Sequence, residues 1–466
     1  MLYKGDSLIE KLLDALRIDP NGGALRIASA ILISLGIILI FGFLMTRLTK
    51  LLRLPNVTAY IVVGILIGPS IMFGPNIKGI IPGDFIEHTS FVSDIALAFI
   101  AFSAGEFFKI NKVKKNIGKS IIITVFEAVF TFVLTFVLCR FAFSLGTPFS
   151  LIIAALTSAT APTSTIMTIK QTKAKGHYVD TLLEVIVLDG VIALLLYTVS
   201  ISLFVATEKG SLEFMDIAWP LLTTLICLAI GVAFGFILKF LISFKRTTDN
   251  RLIIVIATLL LFCGICTLFG QSPLLGAIAI GTVYSNMCKT DDERKLFAQV
   301  NYFIPPIMLV FFVRGGMSLQ FSIFSQSNTI SSIPLIVIVI AVLLARLVGK
   351  YGGSYVGGVV TSQPKETRNF LGLGLLPQAS IAIALATMGV RTLESKGFDE
   401  HASFLLAVIL ASSIIFELVA PALAKLGLYL SHSYESGDGI SRFEDKSDEN
   451  AYTEAAVEHY DDWWLK

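Results

Sequence analysis

The chain has 466 residues, of which 55% are hydrophobic and only 15% are charged. Soluble multidomain proteins do not reach this apolar balance, so the composition indicates an all-α polytopic membrane protein. The formal net charge is +2. Because so small a net charge provides no basic surface, the sequence predicts no nucleic-acid partner, and the positions of the charges carry more information than their sum.

Thirteen apolar segments are long enough to cross the roughly 30 Å hydrocarbon layer of a bilayer. The sequence therefore predicts about thirteen transmembrane helices, numbered here as segments 1 to 13 in chain order. They cover residues 25–47, 55–74, 88–108, 118–142, 149–169, 178–206, 216–241, 251–269, 272–288, 297–315, 331–358, 368–390 and 402–428.

The connecting loops alternate in charge. The loops after segments 1, 3, 5, 7, 9 and 11 contain 20 Lys and Arg residues, against five in the loops on the other side. Since cytoplasmic loops carry the excess of Lys and Arg, this pattern predicts a cell-membrane protein with its N-terminus outside and its C-terminus in the cytoplasm. Residues 1–24 are then an extracytoplasmic amphipathic segment, and the acidic residues 431–466 are a disordered cytoplasmic tail.

The two halves of the chain share a faint internal repeat. Residues 98–110 align with 308–320, Gly64 aligns with Gly281, and Pro162 aligns with Pro377, in the same order along both halves. Segment 3 and its mate, segment 10, are seven places apart in the chain, an odd number, so the two matched segments run in opposite directions. This arrangement is the inverted repeat that is typical of secondary transporters.

Segments 5 and 12 are mates in this repeat, and both are predicted to be broken helices. Pro162 lies among Thr and Ser residues in the middle of segment 5, and Pro377 follows two glycines in segment 12. Proline removes a backbone donor and frees a carbonyl, and non-helical backbone at membrane depth is tolerated only where it is buried in protein or lines a cavity. The half-helix ends offer carbonyls and hydroxyls to a cation, together with dipoles that nearby charges must balance.

Segment 6 contains two carboxylates, Glu184 and Asp189, in an otherwise apolar run. A carboxylate in the middle of a bilayer costs roughly 2.5 to 3.5 kcal/mol on insertion scales, and such groups mark ion or proton pathways. Five residues of helix turn the side chains roughly 140° apart and separate them by about 7.5 Å. We therefore expect the two carboxylates to have separate roles.

Segment 11 supplies two buried cations, Arg346 and Lys350, one helical turn apart. We expect them to balance Glu184 and Asp189, and the sequence leaves open which cation pairs with which carboxylate. Three more charged residues lie within predicted spans. We expect Arg140 to be interfacial, and we favour a bracing role over proton binding for the other two, which are Glu127 and Glu417.

Five stretches resemble the monovalent cation:proton antiporter superfamily and its NhaA-like fold. They are LPNVTAYIVVGILIGPS (54–70), ATAPTST (159–165), EVIVLDG (184–190), RLVGKYGG (346–353) and LLPQASIAIALA (375–386). The resemblance implies a membrane transporter domain over residues 25–430, with segments 5 and 12 crossing near Asp189. It implies core helices at about 118–206 and 331–428, which move against dimerisation helices at about 25–108 and 251–315. A linker helix at about 216–241 joins the two sets of helices within one chain. Two such chains are expected to form a homodimer.

The same resemblance implies an ion site. Asp189 looks like the aspartate that binds either a proton or the metal cation, Na⁺ or K⁺, and Thr160 looks like the threonine at the helix crossing. We expect oxygens around Thr160 and Ser164 to assist Asp189. The implied function is exchange of Na⁺, or alternatively K⁺, for protons by alternating access, with no enzymatic activity and no cofactor.

The resemblance also suggests roles for the remaining charges. Glu184 and Arg346 look like a pair that joins two core helices, and Lys350 looks like a lysine that competes with the cation. The chain departs from the common pattern at Leu188, where relatives often carry Asn or Asp before the key aspartate. A single carboxylate serving both substrates favours electroneutral, one-for-one exchange.

Two alternative functions remain. An ion channel or ion-gated receptor on the same fold requires a continuous pore or a signalling module, and the sequence has neither a long polar helix face nor a folded tail domain. An organic-anion symporter on a related fold is expected to have fewer buried carboxylates.

Overall fold

The computed structural model describes most of the membrane part of the chain. The described residues are 23–51, 56–69, 80–81, 84–89, 91–106, 117–208, 214–243, 248–269, 271–288, 290–318, 330–331, 333–378 and 380–434. Most of the predicted N-terminal segment and of the acidic tail lies outside these ranges.

All regular structure within these ranges is helical. The helices are α1 (Gly23–Leu51), α2 (Asn56–Ile67), α3 (Asp84–His88), α4 (Phe91–Gly105), α5 (Ile117–Val137, continued by a π-helical turn at Leu138–Ala142), α6 (Thr147–Ser158), α7 (Pro162–Thr172), α8 (His177–Glu208), α9 (Phe214–Ser243), α10 (Thr248–Leu268), α11 (Leu274–Met287), α12 (Thr290–Met317), α13 (Leu335–Val360), α14 (Lys365–Gly374), α15 (Ser380–Glu394) and α16 (Asp399–Leu430).

Each of the thirteen predicted segments coincides with one of these helices or, for segments 5 and 12, with a consecutive pair. The all-α fold with two broken helices is therefore confirmed. By length and apolar composition, eight helices of the described part are able to cross a membrane. The number of thirteen crossings stays a prediction.

Helix α5 is polar on its buried side and apolar on its exposed side. Its buried polar side chains recur every three or four residues, which places them on one helix face. Because lipid solvates only the apolar side, the polar side must face other helices. The buried polar residues are Ser120, Thr124, Glu127, Thr131 and Thr135, and the exposed apolar ones include Ile121, Val125, Val129 and Val133.

Helix α13 packs directly on this polar face through its glycines. A Cβ atom on Gly353 would lie 2.5 Å from the Cα of Glu127 on α5, and one on Gly349 would lie 2.6 Å from the Cα of Thr131. Small residues spaced four apart let membrane helices approach closely. This close approach brings the buried Lys350 of α13 next to Glu127.

We expect Gly353→Ala to lower stability by about 1–3 kcal/mol, because the added methyl group must push α13 away from α5. The effect is measured as a change in the melting temperature of the purified protein in detergent. Gly352→Ala is the matched control, since its new methyl group would meet only the ring of Phe130 at 3.4 Å. Equal melting temperatures for the two variants would contradict the close α5–α13 packing.

Two further close contacts follow the predicted repeat. A Cβ on Gly64 of α2 would lie 2.0 Å from a carbonyl oxygen of α12, and one on Gly281 of α11 would lie 2.1 Å from a carbonyl oxygen of α4. The sequence repeat pairs α2 with α11 and α4 with α12. The α2–α12 contact thus maps onto the α11–α4 contact, as an inverted repeat requires.

Candidate functional site

The two broken helices cross in the middle of the bundle. Helix α6 ends at Ser158 and α7 begins at Pro162, while α14 ends at Gly374 and α15 begins at Ser380. The two non-helical stretches bond to each other, since the Ala161 amide donates to the Pro377 carbonyl over 2.9 Å.

Side chains at the crossing complete the pairing of its backbone groups. The Thr160 hydroxyl donates to the Leu375 carbonyl at 3.1 Å, and the Gln378 amide donates to the Leu156 carbonyl at 3.2 Å. The Thr165 hydroxyl donates to the terminal carbonyl of α14. These bonds supply partners that regular helices would have provided, which is the condition for irregular backbone at membrane depth.

Arg346 holds the carboxyl ends of both half-helices. Its guanidinium is fully buried and donates to the Thr157 carbonyl of α6 and to the carbonyls of Leu375, Leu376 and Pro377 just after α14, at 3.0 to 3.3 Å for the latter three. Helix carboxyl ends carry partial negative charge, so one cation balances both. The guanidinium also lies 5.3 Å from the centre of the Phe416 ring.

Asp189 lies on the opposite, amino-terminal side of the break. Its Oδ2 accepts the Thr160 backbone N–H at 2.8 Å and an N–H of Lys350 at 3.1 Å. The side chain is completely buried. Because α7 begins only two residues after Thr160, the carboxylate lies near a helix amino terminus, which carries partial positive charge.

Lys350 joins two carboxylates. Its Nζ is 3.1 Å from Asp189 and 2.6 Å from Glu127 Oε2, and all three side chains are fully buried. Both contacts are ion pairs, and the one with Glu127 is the shorter. One ammonium group therefore faces two acids.

Several buried oxygen atoms at this cluster accept no hydrogen bond. They are Asp189 Oδ1 and Glu127 Oε1, and at the nearby helix crossing Gln378 Oε1 also lacks a partner. Buried polar atoms normally have partners, so such atoms indicate a place where something else binds. Oxygen atoms beside an ammonium group suit either a proton or a hard cation, whose binding competes with that ammonium group.

The structure brings together three of the predicted site residues, Asp189, Thr160 and Lys350. It places Ser164 elsewhere: its hydroxyl donates to Glu417 Oε1 on α16 and not to Asp189. Pro162 is the first residue of α7, and the single carbonyl oxygen of Pro377 accepts hydrogen bonds from both Ala161 and Arg346. Both prolines thus lie at the breaks, as expected.

The expected pair of Glu184 with Arg346 is not formed, which corrects the sequence-based assignment. Glu184 accepts a hydrogen bond from the Ser120 hydroxyl at 2.5 Å, while the guanidinium of Arg346 is directed at backbone carbonyls. Glu184 is about 7.5 Å nearer the start of α8 than Asp189, so it lies away from the crossing. The partner of Asp189 is Lys350.

Glu127 is the site residue that the sequence reasoning undervalued. Its position in the middle of a hydroxyl-bearing stripe on α5 was a readable signal, because Ser120, Thr124, Thr131 and Thr135 share its helix face. A carboxylate on the only polar face of a lipid-bounded helix points into the bundle.

The family model described as "Sodium/hydrogen exchanger, transmembrane" matches residues 27–425. Among curated proteins, the chain is 23% identical over 400 residues to the ammonium/H⁺ antiporter subunit AmhT of Alkalihalophilus pseudofirmus, covering 84% of this chain and 94% of that protein. It is 22% identical over 384 residues to the Na⁺/H⁺ antiporter of Enterococcus hirae, covering 80% of this chain and 93% of that protein.

A solved structure has the same fold. The sodium proton antiporter MjNhaP1 of Methanocaldococcus jannaschii, determined at pH 8, superimposes with a TM-score of 0.68 at 18% identity, covering 86% of this chain and 99% of that one. The crossing broken helices and the family match over most of the chain lead to one conclusion: the chain belongs to the sodium/hydrogen exchanger family, and it is a multi-pass membrane transporter of the cation:proton antiporter type.

Proposed function

We propose that this protein exchanges a monovalent cation, Na⁺ in first place and K⁺ in second, for protons by alternating access, with Asp189 as the group that both ions share. The observation that carries the proposal is the position of Asp189. It is fully buried at the crossing, its Oδ2 is held by Thr160 and Lys350, and its Oδ1 accepts no hydrogen bond.

Exchange follows from competition at this carboxylate. A proton on Asp189 removes the charge that attracts a cation, and a bound cation disfavours the proton. Lys350 can give up its contact with Asp189 because a second acid lies beside it. When a cation occupies Asp189, the ammonium group stays paired with Glu127, 2.6 Å away. No charge is then left without a partner in the interior, where an unpaired charge is costly.

Alternating access requires the core to move against the other helices. In this proposal the core comprises α5–α8 and α13–α16, the dimerisation helices are α1–α4 and α10–α12, and α9 links them. An ion pair of 3.0 Å between Arg391 on α15 and Asp94 on α4 connects the two sets. Movement of the core has to break this pair, in which the Arg391 side chain is partly exposed and Asp94 is buried.

The homodimer, the outside N-terminus and the cytoplasmic C-terminus belong to the same proposal. The alternating Lys and Arg content of the loops supports the orientation. The organic-anion symporter receives no support from the site, because two buried carboxylates, Asp189 and Glu127, would repel an anion.

Purified protein in liposomes with an internal pH dye tests the proposal. Na⁺, K⁺, Li⁺ and NH₄⁺ are added in turn, the last because one relative is an ammonium/H⁺ antiporter, and protein-free liposomes correct for leakage of NH₃. We expect Na⁺ to drive proton movement, and a rate that is unchanged when an ionophore clamps the voltage identifies electroneutral exchange. Absence of proton movement with all four cations would contradict antiport.

A further inference from the structure

Glu417 on α16 is a buried carboxyl group outside the Lys350 cluster. Its side chain is fully buried, and it accepts a hydrogen bond at Oε1 from the hydroxyl of Ser164 on α7. Its Oε2 has no hydrogen-bond partner, and none of the ion pairs formed among the described residues includes it. The group is thus an acid that the exchange site does not use.

The cations of the spans packed against α16 are engaged elsewhere. Arg346 bonds carbonyls at the crossing, Lys350 pairs with Glu127 and Asp189, and Arg391 pairs with Asp94. The helices packed against α16 are α2, α6, α7, α13, α14 and α15. Their ionisable residues are Tyr60, Lys170, Arg346, Lys350, Tyr351, Tyr355, Lys365, Glu366, Arg368, Arg391 and Glu394, and α6 has none.

Two opposing influences make this carboxyl able to change its charge. Burial without a cation favours the protonated form. The partial positive charge at the start of α7, where Ser164 is the third residue, and the hydroxyl bond from Ser164 favour the ionised form.

The hydroxyl oxygen of Ser413 is a possible hydrogen-bond acceptor for a proton on Glu417. Ser413 lies one turn before Glu417 on α16, is fully buried, and its Oγ has no hydrogen-bond partner. Residues four apart on a helix are neighbours on its surface. A proton on Glu417 Oε2 therefore has an acceptor within reach of a side-chain rotation, while Ser164 holds Oε1.

We propose that Glu417, with Ser164 and Ser413, forms a second proton-binding site, separate from Asp189, which takes up a proton at low pH and releases it as the pH rises. The proposal rests on the exchange function proposed above. It concerns a proton and not the transported cation, so the group modulates or adds to exchange without being the place where the cation binds.

Glu417→Gln tests the site, because glutamine keeps the shape and the acceptor for Ser164 but cannot ionise. In liposomes we expect this variant to transport the cation, with a dependence of the rate on pH that is less steep by about one proton. Ser164→Ala is expected to move the pH profile toward higher pH, since the ionised carboxylate loses its only hydroxyl donor. Ser412→Ala is the control: this buried neighbour donates to its own helix backbone, and the profile should not change.

Infrared spectroscopy of the purified protein gives a second measurement that needs no transport. Raising the pH should remove a protonated-carboxyl band from the wild type, and Glu417→Gln should lack that band. An unchanged pH profile together with an unchanged spectrum would overturn the proposal. Loss of all transport by folded Glu417→Gln would also overturn it, by assigning Glu417 to the cation site. If the proposed exchange function is wrong, the wild-type protein will move no protons in liposomes. The infrared measurement does not depend on transport, so it still tests the proton site at Glu417 in that case.

Discussion

Replacing Asp189 by asparagine is expected to reduce cation-driven proton movement to the rate of protein-free liposomes. Asparagine has nearly the same shape and keeps an oxygen that accepts the Thr160 amide, which Asp189 accepts at 2.8 Å. It has no charge, so it attracts no cation and exchanges no proton. The protein should still fold, because Lys350 retains Glu127 as its ionic partner at 2.6 Å.

The measurement is the initial rate of internal pH change after addition of Na⁺, with equal amounts of correctly folded protein verified by gel filtration. Asp180→Asn is the matched control. It is the same chemical change on the same helix α8, at an exposed position, and it should leave transport near the wild-type level. Wild-type rates in Asp189→Asn would mean that another carboxylate carries the exchange, with Glu127 the nearest group to test.

The second large effect is expected from Arg346→Met, which should destabilise the protein by about 3–5 kcal/mol or prevent its folding. The guanidinium donates to four backbone carbonyls at the ends of α6 and α14. Methionine fills much of the space but provides no donor. Buried carbonyls and two negative helix ends then lose the cation that balances them.

Arg346→Lys separates the role of the charge from that of the geometry. It keeps one positive charge, but an ammonium group cannot span two helix ends as the planar guanidinium does, so a stability between those of the wild type and Arg346→Met is expected. Lys365→Met removes a cation from an exposed position on α14 and should change stability by no more than about 0.5 kcal/mol. Thermal melting in detergent compares the three. If Arg346→Met had the same melting temperature as the wild type, the proposed balancing of the helix ends would be wrong.

The sequence was sufficient for the parts of the fold that depend on local chemistry. Apolar length located the helices, and Pro162 and Pro377 located the breaks because proline cannot continue the hydrogen-bond ladder of a helix. The repeat alignment of Gly64 with Gly281 also corresponds to equivalent helix contacts. The number of membrane crossings and the side on which each terminus lies remain sequence predictions.

The pairing of the buried charges could not be predicted from the sequence. Rise per residue put Arg346 about as deep as Asp189 and Lys350 nearer to Glu184, but long side chains left either pairing open. The assignment of Glu184 to Arg346 rested on resemblance. The structure pairs Lys350 with Asp189 and directs Arg346 to the carbonyls of the breaks. Long side chains reach several partners, so their choice depends on how far apart the helices lie and how they are rotated.

The amino-acid sequence by itself therefore determined that this is an all-helical membrane protein with an inverted repeat, two broken helices and a small set of buried charges, because hydrophobic length, proline and the cost of burying a charge act locally. Only the tertiary structure decided that Glu127 shares Lys350 with Asp189 and that Ser164 serves Glu417. Both contacts join helices that are far apart in sequence, and their existence depends on the close packing that the glycines of α13 and the crossing of the half-helices permit.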